Sequence, residues 1–157
     1  MPLRSDWSSA SCPIARSADV LADPWVLLIL REMFSGRTRF DDLRAATGAA
    51  DSVLSRRLAA MTDAGLVDRE GTARSGYRLT DAGRETLPIL HAYARFSRVT
   101  DPDGPWGLTV TCGRCGEVAA SVDWCAHCAK PLDAGSTRWA RRSMGGEPFA
   151  LTTGRTS

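Results

Sequence analysis

The apolar positions between residues 40 and 66 form two stripes at helical spacing. The stripes consist of Phe40, Leu43 and Ala46, followed by Leu54, Leu58 and Met61. Gly48 separates them, and Gly65 stands where a second helix would need a left-handed residue to end. Thr38 and Asp51 are the candidate N-caps of the two helices. Two striped helices joined by a glycine-containing turn predict a helix-turn-helix.

Two more helices are predicted ahead of this segment. Cys12-Pro13 and Asp23-Pro24 each place a proline where a helix would begin, a position that suits its fixed φ and missing N–H. Residues 25–34 are apolar nearly all round. A helix of that kind is buried on most sides, either in a core or at a subunit interface.

The pattern changes to alternation after the second stripe. Residues 66–70 and 77–79 alternate as strands do, and glycines bound the loop between them. This arrangement predicts a hairpin, and a hairpin directly after a helix-turn-helix is a wing. Arg74, near its tip, is a candidate for insertion into a narrow A·T minor groove, and an exposed loop arginine is the alternative.

A further helix is predicted from Thr80, its candidate N-cap, to about Phe96. Pro88 should kink this helix or end its first turns. The helix carries a broad apolar surface: Leu87, Ile89, Leu90, Tyr93, Ala94 and Phe96. Because a compact domain rarely exposes so much apolar area, the surplus predicts a dimer contact. His91 has no second His, Asp or Glu ligand set with it and is interpreted as a structural or partly exposed residue, not as a ligand.

The polar face of the second striped helix carries Ser52, Ser55 and Arg56. Small and hydrogen-bonding side chains allow a helix to enter a major groove about 12 Å wide, where Arg56 could fork onto guanine O6 and N7. Arg37 and Arg39, just before the first striped helix, are candidates for phosphate contacts. Ordinary solvated surface is the alternative for all of these side chains.

Six short motifs occur in order: Cys12-Pro13, then residues 25–31, 39–43, 54–58, 65–67 and 77–83. Together they resemble the HxlR-type winged helix-turn-helix regulators, relatives of the MarR group. The resemblance implies a bacterial, homodimeric DNA-binding regulator that reads an inverted repeat, with its dimer interface built from the terminal helices. It also adds Arg57 to the candidate DNA contacts. The wing is shorter than is usual in that family, so a smaller part is expected of Arg74.

Cys12 matches a cysteine that members of the same family tend to carry near the N-terminus. In some relatives this cysteine senses oxidants or electrophiles through intersubunit chemistry, so the resemblance makes Cys12 a candidate redox residue. The alternative is a small buried residue at a dimer interface, since buried unreactive cysteines are common.

Four of the five cysteines form two C-x-x-C pairs, Cys112 with Cys115 and Cys125 with Cys128. Four soft ligands at this spacing favour a structural, tetrahedral zinc site with no open position, in a zinc-ribbon-like module. A metal-free thiol or disulfide form and an iron site are the alternatives. His127, inside the second pair, is interpreted as solvated.

The segments around the cysteine pairs predict a small β module. Residues 118–124 alternate between the pairs and predict one short strand. Gly113 and Gly116 offer the turn freedom that the first pair would need. A module of this size is too small to fold by core burial, so metal binding would supply the missing stability.

Composition and charge narrow the class of protein. The chain has 157 residues and a formal net charge of only +2, so bulk charge does not indicate nucleic-acid binding. There is no apolar signal segment or membrane-length apolar run, and we expect a cytoplasmic location. No Ser-His-Asp set, phosphate loop or open metal site is visible, so we do not expect an enzyme. A protein-interaction adaptor is the alternative to a DNA-binding regulator.

The predicted fold class is α+β: a winged helix-turn-helix domain with dimerisation helices, followed by a small zinc-ribbon-like β module. The expected order is a flexible N-terminus (1–11), the winged helix-turn-helix domain (12–99), a linker (100–107), the zinc-ribbon-like module (108–133) and a C-terminal tail (134–157). In the tail, Arg138, Arg141 and Arg142 are weak candidates for phosphate contact, and residues from 143 on are expected to be loosely held. The expected partners are double-stranded DNA, a second copy of the chain and an unidentified small-molecule or redox effector, but no membrane.

Overall fold

The computed structural model describes residues 7–71, 76–101, 108–119, 122–132, 136–140, 145 and 148–151. Its contacts divide the chain into two compact units, Met1–His91 and Ala92–Ser157. Within the described ranges, no helix has both the length and the apolar character needed to cross a membrane.

The first unit has the predicted order of a winged helix-turn-helix. Its elements are α1 (Pro13–Leu21), α2 (Pro24–Phe34), α3 (Phe40–Thr47), α4 (Asp51–Asp63), β1 (Val67–Arg69), β2 (Tyr77–Leu79) and α5 (Asp81–Arg84), and α6 (Leu87–Thr100) runs past the division between the units. β1 and β2 pair antiparallel, with Val67 opposite Leu79. The predicted helix-turn-helix, the hairpin after it and the helices on both sides are therefore confirmed.

Two helices begin where the sequence predicted a helix start, at Asp23-Pro24 and at the candidate cap Thr80. The Asp23 side chain accepts from the backbone N–H of Trp25 at 2.9 Å at the start of α2, and Thr80 accepts from that of Gly83 at 3.0 Å at the start of α5. These bonds satisfy backbone donors that have no partner inside a helix. Gly65 follows α4 with a φ of 71°, the left-handed conformation predicted there.

The predicted caps at Thr38 and Asp51 are wrong by one residue. α3 begins directly after Arg39, without a side-chain cap. The backbone of Thr38 pairs with the wing, because its carbonyl accepts from the N–H of Tyr77 at 2.8 Å. Asp51 is the first residue of α4 and not its cap. Its carboxylate lies 3.2 Å from Arg44 Nη1, so it joins the two helices of the motif.

A single apolar cluster forms the core of the first unit. Its fully buried large side chains are Val26, Ile29, Leu30, Leu43, Leu54, Leu58, Met61 and Val67. The stripe predicted for α4 is among them, and α2 contributes residues from several of its sides, as predicted. Since burying one large aliphatic side chain contributes about 1.5–3 kcal/mol, this cluster determines which face of α4 remains in solvent.

The predicted last helix consists of two helices. α5 ends at Arg84 and α6 begins at Leu87. Pro88 lies in the first turn of α6, where its missing N–H breaks no helical hydrogen bond. α6 continues to Thr100, beyond the end predicted near Phe96.

The second unit contains short antiparallel pairs: β3 (Trp124–Cys125) with β4 (Lys130–Pro131), and β5 (Arg138–Ala140) with β6 (Pro148–Ala150). An isolated bridge joins Thr111 to Val118. The prediction of a single strand over residues 118–124 is wrong, because Val118 forms an antiparallel bridge with Thr111, earlier in the chain, and Trp124 begins a separate strand.

The tail contains a hairpin that the sequence did not predict. Trp139 of β5 and Phe149 of β6 are opposite each other and meet edge to face, with ring centroids 6.5 Å apart. Cross-strand aromatic pairs stabilise such strands. Of the candidate arginines in the tail, Arg138 is exposed in β5, and Arg141 and Arg142 lie outside the described residues.

Candidate nucleic-acid interface and cysteine pairs

The exposed face of α4 carries Ser52, Ser55 and Arg56. On the opposite side of the helix, Leu54 and Leu58 are 0% exposed and hold it on the core. Burial of one side thus fixes the outward direction of the other. Among the residues that the structure describes, the guanidinium of Arg56 has neither an ion pair nor a hydrogen-bond partner.

Arg57, the next residue, is turned inward. Its Nη2 lies 2.6 Å from Asp23 Oδ2, and the two side chains are 21% and 8% exposed. Because Asp23 is also the N-cap of α2, one carboxylate joins α4 to the start of α2. Within the described part of the chain, Arg57 Nε is buried and lacks a hydrogen-bond acceptor. The ion pair does not support the DNA contact expected of Arg57, which stays a prediction.

Arg37 and Arg39 differ although they flank the same turn. Arg37 Nη1 lies 2.8 Å from Glu32 Oε2, and the buried Glu32 also pairs with Arg31. Arg39 is exposed and has no ion pair among the described residues. Sequence reasoning gave no role to Glu32, because one acidic residue in an apolar helix does not reveal its partners.

Arg44 offsets acidic charge near the N-terminus of α4. It lies 3.2 Å from Asp51 and 3.6 Å from Asp41. All three side chains are exposed, so these pairs contribute little to stability. Their effect is local, because positive charge stands beside carboxylates that would otherwise repel a phosphate.

The wing strands are joined by side chains as well as by backbone hydrogen bonds. Arg78 forms an ion pair with Asp68, its neighbour across the strands. The Cζ atom of Arg69 lies 5.7 Å from the ring centroid of Tyr77, at the distance of a cation–π contact. Arg74 lies outside the described residues, so its minor-groove contact stays a prediction.

The segment after the wing holds α5 closely against the start of β1. Thr80 Oγ1 donates to the carbonyl of Gly65 at 2.6 Å while it caps α5. A Cβ atom on Gly83 would lie 2.1 Å from the carbonyl oxygen of Leu66. No side chain fits into that distance, so the close approach requires glycine. The sequence predicted the cap at Thr80 but not this contact.

Cys12 is half-buried at the N-terminus of α1. Its carbonyl accepts from the N–H of Arg16 at 3.1 Å as the helix begins. The neighbouring Ile14 is 60% exposed, so this end of α1 presents an apolar side chain to solvent. The redox role of Cys12 stays a prediction.

The two C-x-x-C pairs lie within the described residues, and none of their four thiols is in a disulfide. In each pair, backbone N–H groups of the second cysteine and of the residue before it donate to the first sulfur. These bonds favour the thiolate and lower the pKa of Cys112 and of Cys125 from its ordinary value. The described residues contain no group of three or more His, Cys, Asp or Glu side chains arranged to hold a metal ion. Zinc therefore stays a prediction.

The glycines of the first pair have different roles. Gly116 has a φ of 79°, in the left-handed region that glycine was predicted to supply. Gly113 has no such φ, and a Cβ atom there would meet nothing within 4 Å. The expected need for glycine is confirmed at Gly116 and is wrong at Gly113.

Similar proteins belong to one functional class. Residues 20–101 match the HxlR-like helix-turn-helix family. An uncharacterised HTH-type transcriptional regulator of Mycobacterium bovis, Mb3122, is 32% identical over 127 residues, which cover 77% of this chain and 80% of that protein.

Solved structures agree with this class. PA1607, a candidate transcription factor, has a TM-score of 0.75 and 32% identity, and the likeness covers 87% of this chain and 99% of that one. PA1374 of Pseudomonas aeruginosa, also a candidate transcription factor, has a TM-score of 0.59 and 25% identity, with 77% of this chain and 86% of that one covered. A likeness over 87% of the chain must extend beyond the first unit.

Proposed function

The chain belongs to the HxlR-like helix-turn-helix family of transcriptional regulators, and we propose that it binds duplex DNA sequence-specifically, as a homodimer on an inverted repeat. The observation that carries this proposal is the outward face of α4, where Ser52, Ser55 and Arg56 project from a helix anchored by buried leucines. A helix held in this way can enter a major groove without rearranging the core behind it.

In this proposal Arg56 and the two serines read bases. Short hydroxyl side chains permit close approach to the groove floor, and the guanidinium of Arg56 can donate to both acceptors of a guanine. Since Arg56 has no ion pair among the described residues, it breaks no internal contact when it binds a base. Arg57 has a different role, which is to hold α4 in place through Asp23.

Phosphate contacts would position the reading helix. Arg39 is exposed beside α3 and is the better candidate of the two arginines in that turn. Arg37 is 46% exposed and tied to Glu32, so it would contact a phosphate from a fixed position. Arg74, in the wing, remains a candidate for the minor groove.

Dimerisation is supported by the two apolar sides of α6. Leu90 packs against the core of the first unit, and Ala94 is buried. At about 100° per residue, a second stripe lies on the other side of the helix. The exposed fractions of its side chains are 36% for Ile89, 53% for Tyr93 and 66% for Phe96. A second copy of the chain would cover this stripe, and an inverted-repeat operator follows from the twofold symmetry of such a dimer.

Selection from a random duplex library, followed by fluorescence anisotropy on the enriched sequence, tests the DNA proposal. We expect an enriched inverted repeat, and an affinity that falls steeply as salt concentration rises, because several arginines displace counterions. Binding without an enriched sequence, or without salt dependence, contradicts the proposal and favours a protein-binding role.

Two arginine variants separate base reading from phosphate contact. Arg56→Ala should cost about 1–3 kcal/mol, roughly 5- to 150-fold in affinity, and relax the preference at one base pair of each half-site. Arg39→Ala should weaken binding to all sequences alike and lower the salt slope by about one. An unchanged base preference in Arg56→Ala rules out that reading role.

Sedimentation analysis of two α6 variants tests the dimer. Phe96→Glu places a charge in the exposed stripe and should shift the protein toward monomer. Ser97→Glu adds the same charge at the next position, away from the stripe, and should leave the association unchanged. Equal behaviour of the two variants contradicts this interface.

A further inference from the structure

Two hairpins in the second unit repeat one backbone arrangement. We name them the first knuckle hairpin (residues 110–119) and the second knuckle hairpin (residues 123–132). In each hairpin, the residue before the first cysteine pairs with the third residue after the second cysteine. These strand partners are Thr111 with Val118 and Trp124 with Pro131.

The hydrogen bonds of the two knuckle hairpins have the same offsets. At the turn, the first cysteine's carbonyl accepts from the N–H four residues on; the pairs are Cys112 with Gly116 at 2.8 Å and Cys125 with Ala129 at 2.9 Å. At the open end, the pairs are Val110 with Ala119 and Asp123 with Leu132, both at 2.8 Å. The two hairpins therefore have the same strand register, counted from their cysteines, from the turn to the open end.

The same position is left-handed in both turns. Gly116 has a φ of 79° and Ala129 a φ of 54°. Within the described residues, Ala129 is the one non-glycine residue with a positive φ. Alanine is disfavoured in this conformation. The second turn thus has the backbone geometry of the first, although alanine does not favour that geometry. This indicates that both turns need the same backbone conformation for the same reason.

The cysteines are what the two turns share. In both, the first sulfur accepts from the N–H groups of the second cysteine and of the residue before it. Hydrogen bonds to a ligand atom orient it toward a metal ion. Each knuckle hairpin therefore presents one half of a four-sulfur site in the same way.

We propose that the two knuckle hairpins bind one zinc ion between them, with Cys112, Cys115, Cys125 and Cys128 as its ligands. Four thiolates in a tetrahedron are a structural zinc set, and soft sulfur ligands disfavour magnesium and calcium. The described residues hold no group of three such ligands already gathered around one point. Metal binding to such a site is coupled to the folding of the segments that carry its ligands.

Both halves of the site come from one chain. Only residues 120–122 separate the knuckle hairpins, so Ala119 and Asp123 are at most about 14 Å apart. A tether this short gives the second pair a higher effective concentration than a pair from another chain would have.

The ion serves the fold of the second unit. None of the described residues from 108 to 151 is buried. Val118 and Trp124 are still 59% and 56% exposed. Units of this size without a core depend on a metal or on cross-links. Because four sulfurs leave no open coordination position, the site has no catalytic role.

Metal analysis and native mass spectrometry of the full chain, purified under reducing conditions with Zn²⁺, test this site. We expect about one zinc ion per chain. Substitution by Co²⁺ should give the visible absorption bands of a tetrahedral ion and the charge-transfer bands of sulfur ligands.

Variants show which side chains hold the ion. Serine at any one of Cys112, Cys115, Cys125 or Cys128 should greatly reduce the bound zinc. Cys12→Ser removes the fifth cysteine, and His127→Gln changes the histidine inside the second pair; both should keep the ion. Cys128→His exchanges one sulfur ligand for nitrogen and should keep the ion with a shifted cobalt spectrum, which separates ligand loss from misfolding.

Several results would overturn the proposal. They are a zinc-free wild-type chain, zinc retained when both Cys112 and Cys125 are serine, a stoichiometry of about one ion per two chains, and a cobalt spectrum altered by His127→Gln. None of these measurements involves DNA, so the zinc site stands or falls independently of the proposed DNA binding.

Discussion

The two units of this chain differ in how deeply their described residues are buried. In the first, side chains from α2, α3, α4 and β1 form a core in which Ile29, Leu30 and Leu58 are completely buried. In the second, the described residues after position 108 include none that is buried. The difference follows from the spacing of apolar residues: recurrence every three or four residues gives a helix one face to bury, whereas strands of two or three residues cannot cover one another.

This difference decides where the chemistry-bearing side chains lie. In the first unit, the candidate base readers Ser52, Ser55 and Arg56 are residues that the core leaves outside. In the second unit, Cys112 and Cys125 are half-buried while most residues around them are exposed. A core can thus support a recognition surface in the first unit. In the second unit, where none of the described residues from 108 on is buried, we propose that the cysteines provide the support through zinc.

Removal of zinc should have the largest effect on stability, and only the second unit should be affected. Chelation should abolish amide protection over residues 110–132, because metal binding contributes about 10–16 kcal/mol in comparable small sites. Protection over residues 26–67 should not change, since an apolar core holds them. Hydrogen exchange with mass spectrometry, before chelation, after it and after Zn²⁺ is restored, measures both regions in one sample. Loss of protection in both regions contradicts the separation of their stabilising forces.

Truncation of one leucine in each unit gives the next largest difference. Leu58→Ala leaves a cavity in a fully buried site and should cost about 2–5 kcal/mol. Leu132→Ala removes a side chain that is 38% exposed and should change stability by about 0.5 kcal/mol or less. Chemical denaturation of the zinc-loaded protein measures both. A large loss from Leu132→Ala would mean that the second unit has a core after all.

Two adjacent arginines extend the comparison to one side chain that is turned inward and one that is exposed. Arg57→Met removes a cation that lies 2.6 Å from the buried carboxylate of Asp23 and should cost about 3 kcal/mol, the lower end of the range for a broken buried pair. Arg56→Met removes the same charge from an exposed position and should change stability by about 0.5 kcal/mol or less while weakening DNA binding.

Denaturation and DNA titration of the two arginine variants distinguish a residue that holds α4 in place from one that contacts bases. At a temperature where Arg57→Met is folded, its preference among base pairs should equal that of the wild type. If Arg57→Met instead changes the preferred base, Arg57 contacts DNA directly, as predicted from the sequence.

The sequence predicted those parts of the fold that depend on local periodicity. The helices α2 to α4, the hairpin, the helix start at Asp23-Pro24 and the cap at Thr80 follow from apolar spacing and from residues with one strong conformational preference. The direction of Arg57 does not, because the helical pattern places it at the margin of a face and its partner belongs to another helix. The sequence predicted the knuckle hairpins only in part, since the spacing of the cysteines predicts metal ligands but does not predict the register of the strands.

Close backbone contacts are a second class of feature that periodicity cannot reveal. Gly83 is part of a recognisable motif, but only the structure shows the carbonyl of Leu66 in the space where a Cβ atom would stand. Thr38 is similar, because the role of its carbonyl toward Tyr77 depends on a partner far along the chain. Such contacts lie between two elements, whereas sequence periodicity predicts each element separately.

Two glycine substitutions give the smallest and most local test of the comparison. Gly83→Ala would place Cβ 2.1 Å from the Leu66 carbonyl oxygen, so α5 has to move away from β1. We expect a loss of about 1–3 kcal/mol, as for other overpacked sites. Gly113→Ala is the matched change in the second unit, where Cβ meets nothing within 4 Å, and it should cost about 0.5 kcal/mol or less. Thermal unfolding of the zinc-loaded protein measures both effects. Equal melting temperatures for the two variants would show that α5 and β1 can move apart at little cost in free energy. The packing of the first unit would then be looser than its buried core indicates.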